Sequence, residues 1–219
     1  MSKIYLNILD KKRLEVLKRL GFTRELKMYL AGGTALALQI GHRTSVDFDF
    51  YIPKNFKKGE LKLHFKNNFK NYKIKILRDF DDTFEINING ISLSCFYYPY
   101  KLIKKKVLVE GIEIADIEDI TAMKLVAVSQ RGTKRDFVDV YYLIKKFGLP
   151  KILKLTDKKY PEFDVYCGLR GLMYFDDADN DKEIGRIKIF DKKLKWVDVK
   201  KYIKQEIFNF QKNINKIKK

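Results

Sequence analysis

Cysteine is nearly absent from this chain of 219 residues: Cys95 and Cys167 stand far apart, and neither forms a Cys/His pair at metal-ligand spacing. That excludes a disulfide framework and a zinc finger, and the expectation is two buried, reduced thiols in a cytoplasmic protein. Histidine is almost as scarce, with His42 and His64 alone, so His42 has no zinc partner and reads as structural or surface. No apolar run approaches the roughly 18 residues of a membrane span, so no membrane partner is expected. The opening MSKIYLNILDKK lacks the charged-then-apolar layout of a signal peptide. Internal repeats and Pro/Ser-rich linkers are missing too. Acids are in deficit: 28 Asp and Glu against 46 Lys and Arg give a formal net charge of +18.

What is present is enough for a core. Hydrophobic residues make up 46% and aromatics 14%, which excludes a disordered chain. Lysine dominates the excess charge. A coat of solvated lysines is one reading of it; attraction to a polyanion such as nucleic acid is the other.

The coarse pattern is α/β, then helical. An amphipathic helix is expected over 6–20, with Leu9, Val16 and Leu20 on one face and Gly21 as its stop. A short helix is expected over 34–40, ended by Gly41. SVDFDFYI (45–52) alternates as a strand, with Asp47, Asp49 and Tyr51 on one face and Phe48, Phe50 and Ile52 on the other. Residues 61–69 read as a helix and 72–77 as a strand. TFEINI and ISLSCF flank Asn89-Gly90, a hairpin signal. Beyond about residue 115 the periodicity turns helical: 117–130, then 136–147 closed by Gly148 and Pro150, then 162–176 and 196–217. The stretch 192–219 holds ten lysines against Asp198 and Glu206, and reads as a solvated helix face with a frayed tail.

Chemistry concentrates between residues 32 and 49. Paired glycines, Gly32 and Gly33, let backbone N–H groups approach a phosphate, and a helix N-terminus adds partial positive charge. Thr34 can cap that helix or bind a phosphate oxygen. Asp47 and Asp49, on one strand face, can share one hard cation. Alone, such a pair also fits the wet face of an edge strand. The glycines and the acids are separated by residues 34–46, enough for one short helix and a return, so both can meet in one cleft.

The stretch GGTALALQIGHRTSVDFD resembles the signature of polymerase-beta-like nucleotidyltransferases. Within that superfamily it resembles the AbiEii/AbiGii-type toxins, the abortive-infection nucleotidyltransferases of type IV toxin–antitoxin systems. IEDITAMKLVAVSQRGTKRDFVDVYYLIKKFGL, LRGLMYFDDAD and KWVDVKKYI also look familial. The resemblance implies a nucleotidyltransferase α/β domain with a mixed sheet over 1–115 and a helical domain over 116–219 that completes the cleft. It implies that Gly32, Gly33 and Thr34 hold nucleotide phosphates, that Asp47 and Asp49 bind Mg²⁺, and that Lys124 contacts the triphosphate. Asp136 would complete the site, as a base or in place of a missing acid, with Arg131, Lys134 and Arg43 near phosphates or acceptor. It also implies a nucleoside triphosphate substrate, an RNA acceptor such as a tRNA 3′ end, and a cognate antitoxin.

The residues support part of this. Lys124 interrupts the apolar ITAMKLVAV, and a buried ammonium needs an anion; a lysine snorkelling from the stripe's edge is the alternative. Asp136 opens a helix, where an acid also serves as a cap, and Asp139 reads as surface. The family's Arg-x-Lys-Asp reads here Arg131-Gly-Thr-Lys134-Arg135-Asp136, which leaves open which cation faces the site. ISLSCFYY carries serines where relatives have a third carboxylate, with Glu85 on the preceding strand as a candidate replacement. Two rival functions remain: transfer to a small molecule such as an aminoglycoside, whose positive charge a chain at +18 would repel, and a catalytically silent fold that binds nucleotide or RNA.

Overall fold

The structure, a computed structural model, describes residues 3–217. The chain forms two compact units, one reaching Ile117 and one starting at Glu118. No helix among the described residues is long and apolar enough to cross a membrane.

The first unit is α/β. Its helices are α1 (Lys11–Lys18), α2 (Gly32–Ile40) and α3 (Lys58–Asn68). Its strands are β1 (Tyr29–Ala31), β2 (Phe48–Ile52), β3 (Ile74–Asp79), β4 (Thr83–Ile88), β5 (Ile91–Tyr97), β6 (Val107–Val109) and β7 (Ile112–Ile114). Among the described residues they form one mixed sheet in the order β3-β4-β5-β2-β1-β7-β6. β2 runs antiparallel to β1 and parallel to β5.

The helix expected over 6–20 is divided. Asp10 adopts extended backbone and its carboxylate accepts from the Arg13 N–H at 2.8 Å, so α1 starts afresh after a short 3₁₀ turn at Leu6–Ile8. Gly21 falls inside a second 3₁₀ turn, Leu20–Arg24. The apolar face survives the break, since Leu9, Val16 and Leu20 are all buried.

Alternation along the strands separates two sheet faces. Phe48, Phe50 and Ile52 of β2, Phe84, Ile86 and Ile88 of β4, and Leu93 and Cys95 of β5 are buried. α3 covers part of this face, with Phe65 stacked on Phe84 at 6.0 Å. Burying each such side chain contributes about 1.5–3 kcal/mol. Asp49, Tyr51, Glu85, Ser94 and Phe96 alternate with these residues and are half-buried.

The second unit is helical: α4 (Ile117–Gln130, opening at the boundary), α5 (Lys134–Phe147), α6 (Leu149–Lys159), α7 (Val165–Gly171), α8 (Asp176–Asp179) and α9 (Trp196–Ile217). α6 is absent from the sequence expectation. Gly148 (φ +75°) does end α5, but Pro150 sits in the first turn of the next helix, where its missing N–H costs nothing. The single helix expected over 162–176 is two: Asp164 caps α7, and α8 follows a break at 172–175. Phe137 of α5 gathers Phe175 at 4.8 Å and Trp196 at 5.8 Å, while Tyr141 meets Tyr202 of α9 at 5.1 Å. Val199, Ile203 and Ile207 form the buried face of α9, with lysines such as Lys201 and Lys204 on its exposed side. The end of the chain, 218–219, read above as a frayed tail, lies outside the described residues.

α7 packs on α4 through two glycines. A Cβ on Gly171 would stand 2.6 Å from the Ser129 Cα, and one on Gly168 2.9 Å from the Leu125 Cγ. Helix propensity alone would favour alanine at Gly171 by up to about 1 kcal/mol. Overpacking outweighs it, so Gly171→Ala is expected to destabilise this unit by about 1–3 kcal/mol. Trp196, the single tryptophan, reports the transition in a denaturant titration; a stabilised variant would show that the two helices can part at no cost.

The cysteine expectation needs one correction. Both thiols are free and Cys95 is buried, but Cys167 on α7 is exposed. Burial, with the negative charge of Asp49 behind it, pushes the Cys95 thiol well above its ordinary value and keeps it unreactive.

Candidate active site

Strand register brings the glycines and the acids of the first unit together. Antiparallel pairing of β1 and β2 sets Ala31 opposite Asp49. Gly32, the next residue, opens α2, so the helix N-terminus stands beside the Asp49 carboxylate. Gly32 has φ +65°, and a Cβ there would lie 3.0 Å from Asp49 Oδ2. Both facts demand glycine. α2 thus begins at Gly32, two residues before the expected start, with Ala31 as its N-cap and no side-chain cap.

Thr34 therefore is not a cap. Its hydroxyl is buried, donates to the backbone carbonyl of Asp47, and lies 2.7 Å from the Ser45 hydroxyl. It fastens the approach to β2. The same approach is held by Arg13, whose Nε donates to the Val46 carbonyl at 2.9 Å, and by the Ser45 N–H on the Ile8 carbonyl at 3.3 Å. Arg13 and Ser45 escape sequence reasoning because their partners are distant in the chain. Asp47 falls one residue before β2, half-buried and fixed by these bonds. Arg43 is buried; its guanidinium covers Gly33, where a Cβ would have to displace it, and donates to the Thr44 carbonyl at 3.0 Å.

Gly32→Ala would force an L side chain into left-handed backbone and against Asp49. The expected cost is about 1–3 kcal/mol in stability, with transferase activity lost beyond what reduced folding explains. Melting temperature and specific activity of the folded fraction separate the two; full activity would detach this helix start from the chemistry.

The register also answers the question of a third carboxylate. Asp49 pairs with Ser94 on β5, and Ser94 with Glu85 on β4. Glu85 shares the row and the face but stands two strands away, about 10 Å. It ion-pairs with Arg78 at 3.4 Å. Ser94 thus stands between Glu85 and Asp49, and the carboxylate of Glu85 is engaged by Arg78. Among the described residues, no cluster of three or more His, Cys, Asp or Glu could hold a metal ion. Two hard carboxylates fit an ion that draws the rest of its shell from water and substrate phosphates, as Mg²⁺ commonly does.

The second unit holds its own ionic cluster. Lys124 Nζ lies 2.7 Å from Asp136 Oδ1 and 2.6 Å from Asp139 Oδ2, with all three side chains buried. The buried ammonium found its anions inside the protein. Asp139 is not at the surface, a correction explained by the three-residue spacing that sets Asp136 and Asp139 on one face of α5. The cap of α5 is Thr133; its hydroxyl lies 2.6 Å from Asp136 Oδ2 and accepts from the Asp136 N–H at 3.4 Å. Of the cations left open, Arg131 reaches Asp136 at 3.5 Å. Lys134 instead lies over the Trp196 ring at 5.4 Å, and its N–H donates to Asp181 at 2.9 Å.

Burial pushes the Asp136 carboxyl up, but the charges of Lys124 and Arg131 and the bonds from Lys124 and Thr133 outweigh it and leave the group below its ordinary 3.8. A carboxyl lowered on folding stabilises the fold above its unfolded pKa, and that contribution disappears as pH falls through the folded value. Stability of the second unit, followed by Trp196 fluorescence, is therefore expected to decline below about pH 4, and Asp136→Asn to flatten that decline. An unchanged acid slope in the variant would show that other carboxylates control it.

A glycine-led helix start packed against one of two neighbouring acids at the head of a strand, on a mixed sheet followed by a helical unit, defines a nucleotidyltransferase. The chain belongs to the family described as "Nucleotidyl transferase AbiEii toxin, Type IV TA system", whose model matches residues 16–102 and 86–206. The protein aq_aa25 of Aquifex aeolicus (strain VF5) is 34% identical over 211 residues, 93% of this chain and 97% of that one. Solved structures share the fold at lower identity. JHP933 from Helicobacter pylori superposes with a TM-score of 0.60 at 20% identity, covering 98% of this chain and 96% of that one. MenT4, a nucleotidyltransferase toxin of Mycobacterium tuberculosis, gives 0.56 at 13% identity, covering 89% and 80%. ANT(2″)-Ia in complex with adenylyl-2″-tobramycin gives 0.50 at 14% identity, covering 71% and 100%.

Proposed function

We propose that this nucleotidyltransferase moves a nucleoside monophosphate from a nucleoside triphosphate to an RNA hydroxyl, such as a tRNA 3′ end. It would act in the cytoplasm as a toxin restrained by a cognate antitoxin. The observation that carries the reading is the Asp49 carboxylate packed on Gly32 at the start of α2, with Asp47 tied in beside it. An acceptor oxygen attacks the α-phosphorus, its bond to the β-phosphate oxygen breaks, pyrophosphate leaves, and the hydroxyl proton passes to solvent.

Asp47 and Asp49 would hold Mg²⁺, which supplies positive charge to the phosphate oxygens. The first-turn N–H groups at Gly32 and Gly33, with the Arg43 guanidinium over Gly33, favour negative charge at the same place. Thr34 and Ser45 keep Asp47 in position. Asp136, saturated by Lys124, Thr133 and Arg131, is a poor proton acceptor; its role is to orient Lys124. Lys124, held by Asp136 and Asp139, would contact the triphosphate as a fixed positive charge. A polyanionic acceptor suits the formal charge of +18, whereas a cationic aminoglycoside does not.

The test is incubation with total bacterial RNA, Mg²⁺ and each α-labelled nucleoside triphosphate in turn. Label in a discrete RNA band is expected. Label confined to small molecules would transfer the reading to an antibiotic-type acceptor; nucleotide binding with no label would leave a silent fold.

A further inference from the structure

The face of the sheet that carries Asp49 is polar on one side of it and aromatic on the other. Along β2, Tyr51 follows Asp49 on the same face, one strand repeat of about 6.7 Å further. Its register partner on β5 is Phe96, as Ser94 is that of Asp49. Pairing continues past the end of β5 through the Tyr98 N–H on the Ile52 carbonyl at 2.8 Å. The Tyr98 ring thereby meets Tyr51 edge-on at 4.9 Å, and Tyr100 lies 5.0 Å beyond it. Tyr51 also lies 5.6 Å from Phe96. Tyr51, Phe96 and Tyr98 are half-buried, and Tyr100 is 46% exposed.

Core packing accounts for one end of this group: Tyr51 stacks at 6.0 Å on Tyr29, which is buried. Phe48, Phe50, Leu93 and Cys95 form the apolar core of the opposite face. From that anchor the rings run outward to Tyr100, braced against one another on paired backbone, and form a surface that matches the π-face of a base. The acids stand where phosphate chemistry is proposed, and the rings begin one strand repeat away. In a nucleotide, a single ribose separates phosphate from base.

We propose that Tyr51, Phe96, Tyr98 and Tyr100 form a stacking platform for a nucleobase of the substrate. The base belongs either to the nucleoside triphosphate or to the acceptor RNA terminus. This rests on the nucleotidyl-transfer reading above. Stacking accepts every base and selects by ring area, so purine nucleotides bind more tightly than pyrimidine ones.

The test compares wild type with Tyr98→Ala, Tyr100→Ala and Tyr98→Phe by equilibrium binding with Mg²⁺. The probes are ATP, CTP, inorganic tripolyphosphate and a short single-stranded RNA. Loss of one stacked base is expected to weaken binding roughly fivefold to a hundredfold. ATP affinity should fall in that range in the alanine variants, persist in Tyr98→Phe, and leave tripolyphosphate affinity unchanged. Loss of RNA affinity with ATP unchanged assigns the platform to the acceptor's base. Folded alanine variants that bind ATP and RNA as wild type does overturn the platform and leave the transferase reading intact. A wild type that binds none of the four probes overturns both.

Discussion

Asp47→Ala and Asp49→Ala are each expected to reduce nucleotidyl transfer by about three orders of magnitude or more, with the fold retained. The size follows from what the carboxylates would hold: a divalent ion at the phosphates lowers the barrier by several kcal/mol, and each 1.4 kcal/mol is tenfold in rate. With no third acid at the Ser94 position, neither aspartate has a deputy. Both residues are half-buried, so truncation leaves no large cavity. The two variants should still differ. Asp49 also packs on Gly32, so its loss frees the start of α2; Asp47 is positioned through its backbone carbonyl, which alanine retains. Asp49→Ala should therefore show a lower melting temperature than Asp47→Ala. Circular dichroism and a single-turnover assay measure both. Transfer at the wild-type rate in either variant would remove the metal assignment from that residue.

The parts of this protein legible in the sequence are those set by local rules. Alternation over β2, the Asn-Gly turn between β4 and β5, and the helical periods of α4 and α9 depend on neighbours in the chain. The glycines before Thr34 and the paired acids were visible for the same reason, since one strand pairing and one short helix bring them together. Long-range partnerships were not visible. β1, β6 and β7 are three residues each, too short for a period to show, and exist because the sheet pairs them. Pro150 looked like a stop because proline ends a helix and starts one with equal ease. The hold of Thr34 on Ser45 and on the Asp47 carbonyl spans 11 and 13 residues, so no local pattern shows it. Lys124 was correctly singled out as a buried cation, but periodicity says nothing about which anion answers it; two carboxylates one turn apart on α5 do.

The second large effect concerns a buried pair that no motif marks. Lys159, the last residue of α6, places Nζ 2.7 Å from Asp119 Oδ1 in the first turn of α4, and both side chains are fully buried. Each charge suits its helix end, acid at the N-terminus and base at the C-terminus. Such a pair adds little net stability over an apolar pair, because desolvation offsets attraction; removing one partner takes the counter-ion from a buried charge and costs about 3–5 kcal/mol. Lys159→Met is therefore expected to destabilise the second unit by that amount, which is a large share of the 5–15 kcal/mol typical of a domain. Asp119→Leu should do the same. The double variant should regain most of the loss, since neither charge remains to be compensated. Denaturant titrations read through Trp196, which lies in this unit, give the three values and their coupling. Single variants losing under about 1 kcal/mol would mean that water reaches the pair. A double variant no better than the worse single would mean that shape, not charge, holds α4 to α6 at this point.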